Sequence, residues 1–278
     1  MKDYIGRDSA DLKNKTLWLF DMDGTIYEEE RIFDGTLDLL SEIEVRGGRY
    51  MFLTNNSSKS VNDYVEKVTR MGIRADRENF FTSAQATVLY LKEHFPDALV
   101  YAQGTRSLLA ELRDSGIRVT EEVTGEASVV LVGFDTELTF EKLRRTSEML
   151  TRYDTAYIAT NLDFVCPVSF GFVPDCGSMC IGLKYATGKE PIVIGKPEPT
   201  MINIACKKFG VPKEQAVLLG DRLYTDIASG VNAGVTTVAV LSGEAKFDEI
   251  LAYEKQPTFI YQSVKEIYED LKKASCLR

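Results

Sequence analysis

Five short apolar runs constrain the fold of this chain more than any other feature: Leu17-Trp18-Leu19-Phe20, Tyr50-Met51-Phe52-Leu53, Ile192-Val193-Ile194, Ala216-Val217-Leu218-Leu219 and Thr237-Val238-Ala239-Val240. Each breaks off into a polar or glycine-containing turn. Runs without polar alternation suit strands buried on both faces, the pattern of a parallel sheet. Segments with helical periodicity lie between them. Val61, Tyr64, Val65, Val68 and Met71 recur at helical spacing with Gly72 as a C-terminal stop; Met201, Ile202, Ala205 and Phe209 repeat the pattern before Gly210. Strand–helix alternation predicts a doubly wound, Rossmann-like α/β sheet.

The middle of the chain alternates in the same way. Helical patterns at 84–95, 107–115 and 140–153 flank strand-like runs at 99–101, 129–132 and 156–159. This stretch is long enough for a domain of its own. The expectation is a core of residues 1–82 and 189–278 with an inserted α/β cap over 83–188, core strands resuming at Ile192.

Composition narrows the chemistry. The 278 residues carry a formal charge of −9, with no lysine- or arginine-rich block, which argues against a nucleic-acid polymer as partner. No apolar run reaches the roughly 18 residues of a membrane span, and the N-terminus lacks a signal-peptide core. The five cysteines (Cys166, Cys176, Cys180, Cys206, Cys276) suit reduced thiols better than a disulfide frame, and the expected compartment is the cytoplasm. There is one histidine, His94, in a helix-like stretch without partners in sequence, so it reads as a surface or packing residue. Triads built on histidine and multi-histidine zinc sites are thereby excluded. Carboxylates must carry any catalysis.

Those carboxylates sit at strand ends. The first run leads into Asp21-Met22-Asp23-Gly24-Thr25, the second into Thr54-Asn55-Asn56-Ser57-Ser58, the third into Gly195-Lys196-Pro197, and the fourth into Gly220-Asp221 with Asp226 beyond. Ligands of open parallel sheets bind beyond the carboxyl ends of the strands. Asp21, Asp23 and Asp221 gathered there would repel one another unless a hard cation such as Mg²⁺ joined them. Carboxylates, Mg²⁺, a lysine, a threonine hydroxyl and loop N–H groups are the parts of a phosphoryl-transfer site, and a carboxylate can itself be the nucleophile.

These four segments, in this order, resemble the four motifs of the haloacid dehalogenase (HAD) superfamily. The Thr-Asn-Asn-Ser-Ser loop, the Gly-Lys-Pro-Glu-Pro turn and the position of the insertion are similar to class IIA, NagD-like or p-nitrophenylphosphatase-like members, over nearly the whole chain. The resemblance implies Asp21 as nucleophile and Mg²⁺ ligand, and Asp23 as ligand through its carbonyl and as general acid, then base. It implies Thr54, Asn55, Asn56 and Lys196 as phosphate and substrate groups, Asp221 as the further Mg²⁺ ligand, and Gly220 and Asp226 in support. The implied activity is hydrolysis of small phosphomonoesters (nucleotide, sugar, pyridoxal or aryl phosphates) through an aspartyl-phosphate, by an enzyme that is a possible homodimer. A phosphomutase or phosphotransferase, and a phospho-Asp signalling module, are the alternatives.

Plainer readings stand beside these. Thr54 could cap a helix, Lys196 could be a turn lysine, and Asp226 could bond loop N–H groups. Glu28-Glu29-Glu30 reads as a solvated face, Trp18 as core, and Cys176 with Cys180 as small buried residues rather than a metal pair. In the cap, Asn161, Asp163, Phe170 and Asp175 resemble segments that close over substrate. Ser169 and Phe170 replace charged residues often found there, which would favour an apolar or aromatic leaving group.

Overall fold

The computed structural model describes residues 1–168 and 170–275; Ser169 and Cys276, both named above, lie outside the described residues. The chain divides into two compact units. One comprises Met1–Thr54, Asn62–Phe81 and Lys196–Arg278, the other Asn55–Val61 and Thr82–Gly195.

The first unit is built on a six-stranded sheet. Its strands in chain order are Leu17–Phe20, Arg49–Thr54, Phe80–Thr82, Ala216–Gly220, Thr236–Val240 and Phe259–Tyr261, and their spatial order is 3-2-1-4-5-6. Leu17–Phe20 runs parallel to both Arg49–Thr54 and Ala216–Gly220, with Phe20 opposite Phe52 on one side and Leu219 on the other. All four residues of that strand are buried, as an uninterrupted apolar run between two neighbours must be. The order reverses between the first and fourth strands, and their C-terminal ends carry Asp21 and Asp221. Such a topological switch point opens a crevice where ligands bind.

Aromatic side chains fill the sheet's interior around Phe52, whose ring lies 6.3 Å from Phe20, 5.5 Å from Tyr50 and 5.2 Å from Phe80. Phe52→Ala leaves a cavity in this cluster and is expected to cost about 3–5 kcal/mol. The check is a lower urea midpoint with an unchanged slope.

The second unit has its own sheet of five strands. In chain order they are Leu99–Gln103, Arg118–Thr120, Ala127–Val132, Ala156–Ala159 and Ile192–Val193, arranged 5-4-3-1-2 and parallel throughout. Ile192–Val193 therefore corrects one expectation. It pairs with Ile158 and Ala159 and closes the second sheet, and the first sheet resumes only at Ala216. Two residues of the run form the strand, with Ile192 exposed on the sheet's edge. Cys176 and Cys180 are buried in this unit's core with Val130, Met149 and Leu183. Trp18 is buried, and His94 stands at the exposed end of the helix Ser83–His94 against the Tyr90 ring at 4.3 Å.

The helices end where the sequence places their stops. Val61–Arg70 is followed by Gly72 at φ +91°, and Thr200–Phe209 by Gly210 at φ +65°. Among the described residues, no helix is long and apolar enough to cross a membrane.

Candidate active site

Asp21 is held at the strand end by its own backbone, whose N–H donates to the carbonyl of Leu219 at 2.8 Å. The chain then turns sharply. Thr25 and Ile26 N–H groups return to the carbonyl of Met22, and Gly24 N–H donates to that of Tyr27. Gly24 adopts φ +85°, and a Cβ there would stand 2.4 Å from Asp221 Oδ2, so only glycine fits between the two motifs.

Lys196 organises the centre. Its ammonium is buried and donates to Asp21 Oδ1 at 2.5 Å, Asp226 Oδ1 at 2.6 Å and the Leu53 carbonyl at 3.3 Å. Burial alone would lower its pKa; the two carboxylates outweigh that and hold it above the ordinary lysine value. Asp226 has a second anchor, accepting from Arg222 N–H at 3.1 Å. Asp221 accepts from Thr25 Oγ1 at 3.3 Å and from Glu244 N–H at 2.7 Å.

The acids are crowded. Among the described residues, Asp21, Asp221 and Asp226 each offer a carboxylate oxygen within 4.8 Å of the other two. Burial, then the charge of Asp21, pushes Asp221 up to about 6 and Asp226 up to about 7. One ammonium does not neutralise three such groups. This donor set, oxygen-only and short of positive charge, fits a hard divalent cation such as Mg²⁺. Asp23 keeps a partly solvated side chain, and its pKa is raised by the protein around its carboxyl, with Lys67 opposing the rise.

Thr54, buried, ends the strand Arg49–Thr54. Asn55 and Asn56 follow in the segment that groups with the second unit. The Asn55 carbonyl accepts from Ser83 Oγ, while the Asn56 side chain accepts from Ser58 N–H at 2.8 Å. Gly220 lies against Asp226, 2.2 Å from where its Cβ would be. Of the cap candidates, Asn161 Nδ2 donates to Asp163 at 3.2 Å and to Asp175 at 3.3 Å, and Asp175 caps the helix Cys176–Thr187. These three form one polar cluster. Phe170 does not join it and stands 80% exposed.

Three contributions escape the motif reading, although Thr25 itself stands in the first motif. Thr25 and Glu244 bond Asp221, and Ser242 Oγ donates to the carbonyl of Gly24 at 2.7 Å. Ser242 and Glu244 follow the strand Thr236–Val240 at its C-terminal end, so the rule that pointed to the other four loops points to this one as well.

Residues 18–118 match the model of the haloacid dehalogenase-like hydrolases, and residues 193–267 match a second, HAD-hydrolase-like model. An acid sugar phosphatase of Staphylococcus saprophyticus is 32% identical over 262 residues, covering 94% of this chain and 100% of the relative. The chain belongs to the haloacid dehalogenase superfamily. Within it the chain is of the class IIA, NagD-like and p-nitrophenylphosphatase-like kind, and it is an enzyme of the phosphatase type. The 4-nitrophenylphosphatase of Thermotoga maritima superposes with a TM-score of 0.88 at 35% identity, covering 93% of this chain and 98% of that one. A glycerol phosphate phosphatase of Mycobacterium tuberculosis, solved with magnesium, gives 0.87 at 28% identity, covering 96% and 80%.

Proposed function

We propose that this HAD enzyme is a Mg²⁺-dependent phosphatase of small phosphomonoesters, sugar and aryl phosphates foremost, acting through an aspartyl-phosphate. The observation that carries the reading is the Lys196 ammonium set between Asp21 and Asp226, with Asp221 close by. Relatives named for sugar, glycerol and nitrophenyl phosphates support the substrate class. Asp21, Asp221 and the Asp23 carbonyl would hold Mg²⁺, which when bound offsets the charge of the acids and of the phosphate.

The chain's own residues do the rest. An Asp21 carboxylate oxygen attacks phosphorus as the ester P–O bond breaks, and Lys196 and Thr54 hold the transferring group. Asp23 gives its proton to the leaving oxygen, a task its raised pKa suits. It then takes a proton from the water that attacks phosphorus of the aspartyl-phosphate, releasing phosphate and freeing Asp21. Asn55 and Asn56, next to Thr54 in the chain, are carried over as phosphate-loop groups, and Gly220 and Asp226 as support. Asn161, Asp163, Asp175 and Phe170 stand as specificity candidates of the cap at residues 83–188. The four described cysteines are all free, which suits the cytoplasm.

The test is phosphate release from a panel of sugar, nucleotide, pyridoxal and aryl phosphates, with Mg²⁺ or with chelator. Multiple turnover with the metal and none without is expected; no release from any ester under either condition refutes the reading. One variant probes the metal ligand Asp221. A Cβ on Gly243 would stand 2.1 Å from Asp221 Oδ2, so Gly243→Ala must displace that carboxylate. The clash runs along the whole side chain, with Asp221 Cγ at 2.5 Å and Cβ at 2.7 Å, so retention of the fold is checked by circular dichroism, and Mg²⁺ affinity should drop by about 10–100-fold, read by calorimetric titration.

A further inference from the structure

Lys196 projects from a turn, residues 196–199, that belongs to no strand or helix. Its task is nonetheless exacting: one ammonium must reach Asp21 and Asp226 together. A long side chain has many rotamers to lose, and a displacement of about 1 Å loosens a catalytic contact, so the backbone beneath it has to be held.

Two side chains outside the four motifs supply that hold. Ser229 Oγ donates to the carbonyl of Glu198 at 2.9 Å, and Asn232 Nδ2 donates to that of Pro197, also at 2.9 Å. Both stand on the helix Ala228–Ala233, which continues the wide π-helical turn Leu223–Ile227 that carries Asp226. Residues 226, 229 and 232 recur every third position and so share a face of this helical segment. That face meets the lysine turn at three points: the ammonium through Asp226, and two successive backbone carbonyls through Ser229 and Asn232.

The hold has a stiff base. Ser229 is buried, and a Cβ on Gly230 would stand 2.3 Å from Thr237 Cγ2 and 3.3 Å from Leu218 Cδ2. The helix therefore lies directly on the strands Ala216–Gly220 and Thr236–Val240, the first of which leads into Asp221. Asn232 is steadied in turn, its Oδ1 accepting from Lys255 Nζ at 2.7 Å. Groups that orient a catalytic side chain in this way govern its precision without touching substrate.

We propose that Ser229 and Asn232 are positioning residues for phosphoryl transfer, acting through the backbone of the Lys196 turn to keep the ammonium beside Asp21. The inference rests on the phosphatase reading, which gives Lys196 a phosphoryl group to hold.

Ser229→Ala and Asn232→Asp test it, with Mg²⁺, on p-nitrophenyl phosphate, glycerol 3-phosphate and glucose 6-phosphate, inorganic phosphate serving as competitive inhibitor of the first. Ser229→Ala strips a buried carbonyl of its donor and should melt lower. Asn232 is exposed, and Asp there keeps an oxygen for Lys255 while offering no N–H to Pro197, so this second variant separates position from stability. In each variant kcat/KM should fall by about tenfold on all three esters alike, because Lys196 acts on the phosphoryl group and not on the alcohol. The inhibition constant of phosphate should rise by a similar factor. A merely structural role moves the melting temperature and leaves that constant, and the turnover of the folded enzyme, where they were. Unchanged constants in both variants overturn the proposal, and so does a loss confined to one ester, while turnover by the wild type leaves the hydrolase reading intact. Hydrolysis of none of the three by the wild type refutes that reading and the inference with it.

Discussion

Asp21→Asn is expected to lower steady-state phosphate release by about 10⁴-fold or more while leaving the protein folded. The amide has the volume of the carboxylate but no oxygen that can attack phosphorus and leave again. Lys196 loses one charge partner, though the amide oxygen can still accept from it, and it keeps Asp226 at 2.6 Å and the Leu53 carbonyl at 3.3 Å, so it is not stranded. The Asp21 charge also raises both Asp221 and Asp226, and its removal relieves that repulsion. The metal-free variant should therefore melt no lower than the metal-free wild type. Borohydride trapping separates a nucleophile from a mere ligand: reduction of the acyl phosphate during turnover leaves homoserine at position 21 in the wild type, seen as a peptide mass change. Absence of that product, or more than about one per cent residual activity in Asp21→Asn, would remove Asp21 from the nucleophile's role.

The legibility of this site in the sequence has a physical basis. Buried parallel strands announce themselves as apolar runs, and the residue after each run must lie at the sheet's carboxyl edge. That logic reaches Asp21, Thr54 and Asp221 without any knowledge of their partners. It falters at Ile192. A two-residue edge strand carries the same apolar signature as the start of a central one, so sequence cannot say which sheet it joins; the register with Ile158 and Ala159 does. Lys196 is nonetheless where the motif requires it, because the turn after Ile194 rather than the sheet membership of Ile192 fixes its place. The part played by Glu244, and the bond of the motif residue Thr25 to Asp221, escape the sequence for a different reason. Their contribution is a hydrogen bond to a residue some 20 to 200 positions away, at 2.7 Å for Glu244 and 3.3 Å for Thr25, and no local pattern encodes such pairing.

The crowding of acids makes the enzyme's stability depend on pH in a direction opposite to that of a salt-bridged carboxylate. Asp221 and Asp226 are raised in the folded state, to about 6 and about 7, by burial first and Asp21 second, whereas in the unfolded chain they return to the ordinary value of 3.8. The unfolded state thus binds fewer protons than the folded one across that window. Their contribution to stability is fully present below about pH 4 and is lost as pH rises through 6 and 7. Mg²⁺ reverses the trend, because it binds the ionised acids and competes with the same protons. At about 100 times its Kd the ion adds roughly 2.7 kcal/mol, which raises Tm by several degrees in a chain of this size. The gain from saturating Mg²⁺ should be largest near pH 8 and shrink towards nothing below pH 5. Melting curves at pH 5, 6, 7 and 8, with Mg²⁺ and with chelator, provide the check. A metal gain that does not change with pH would mean that the ion binds away from Asp221 and Asp226. Replacing Asp221 with Asn should remove the Asp221 share of the pH dependence of the metal-free protein, leaving that of Asp226, and should abolish the metal gain.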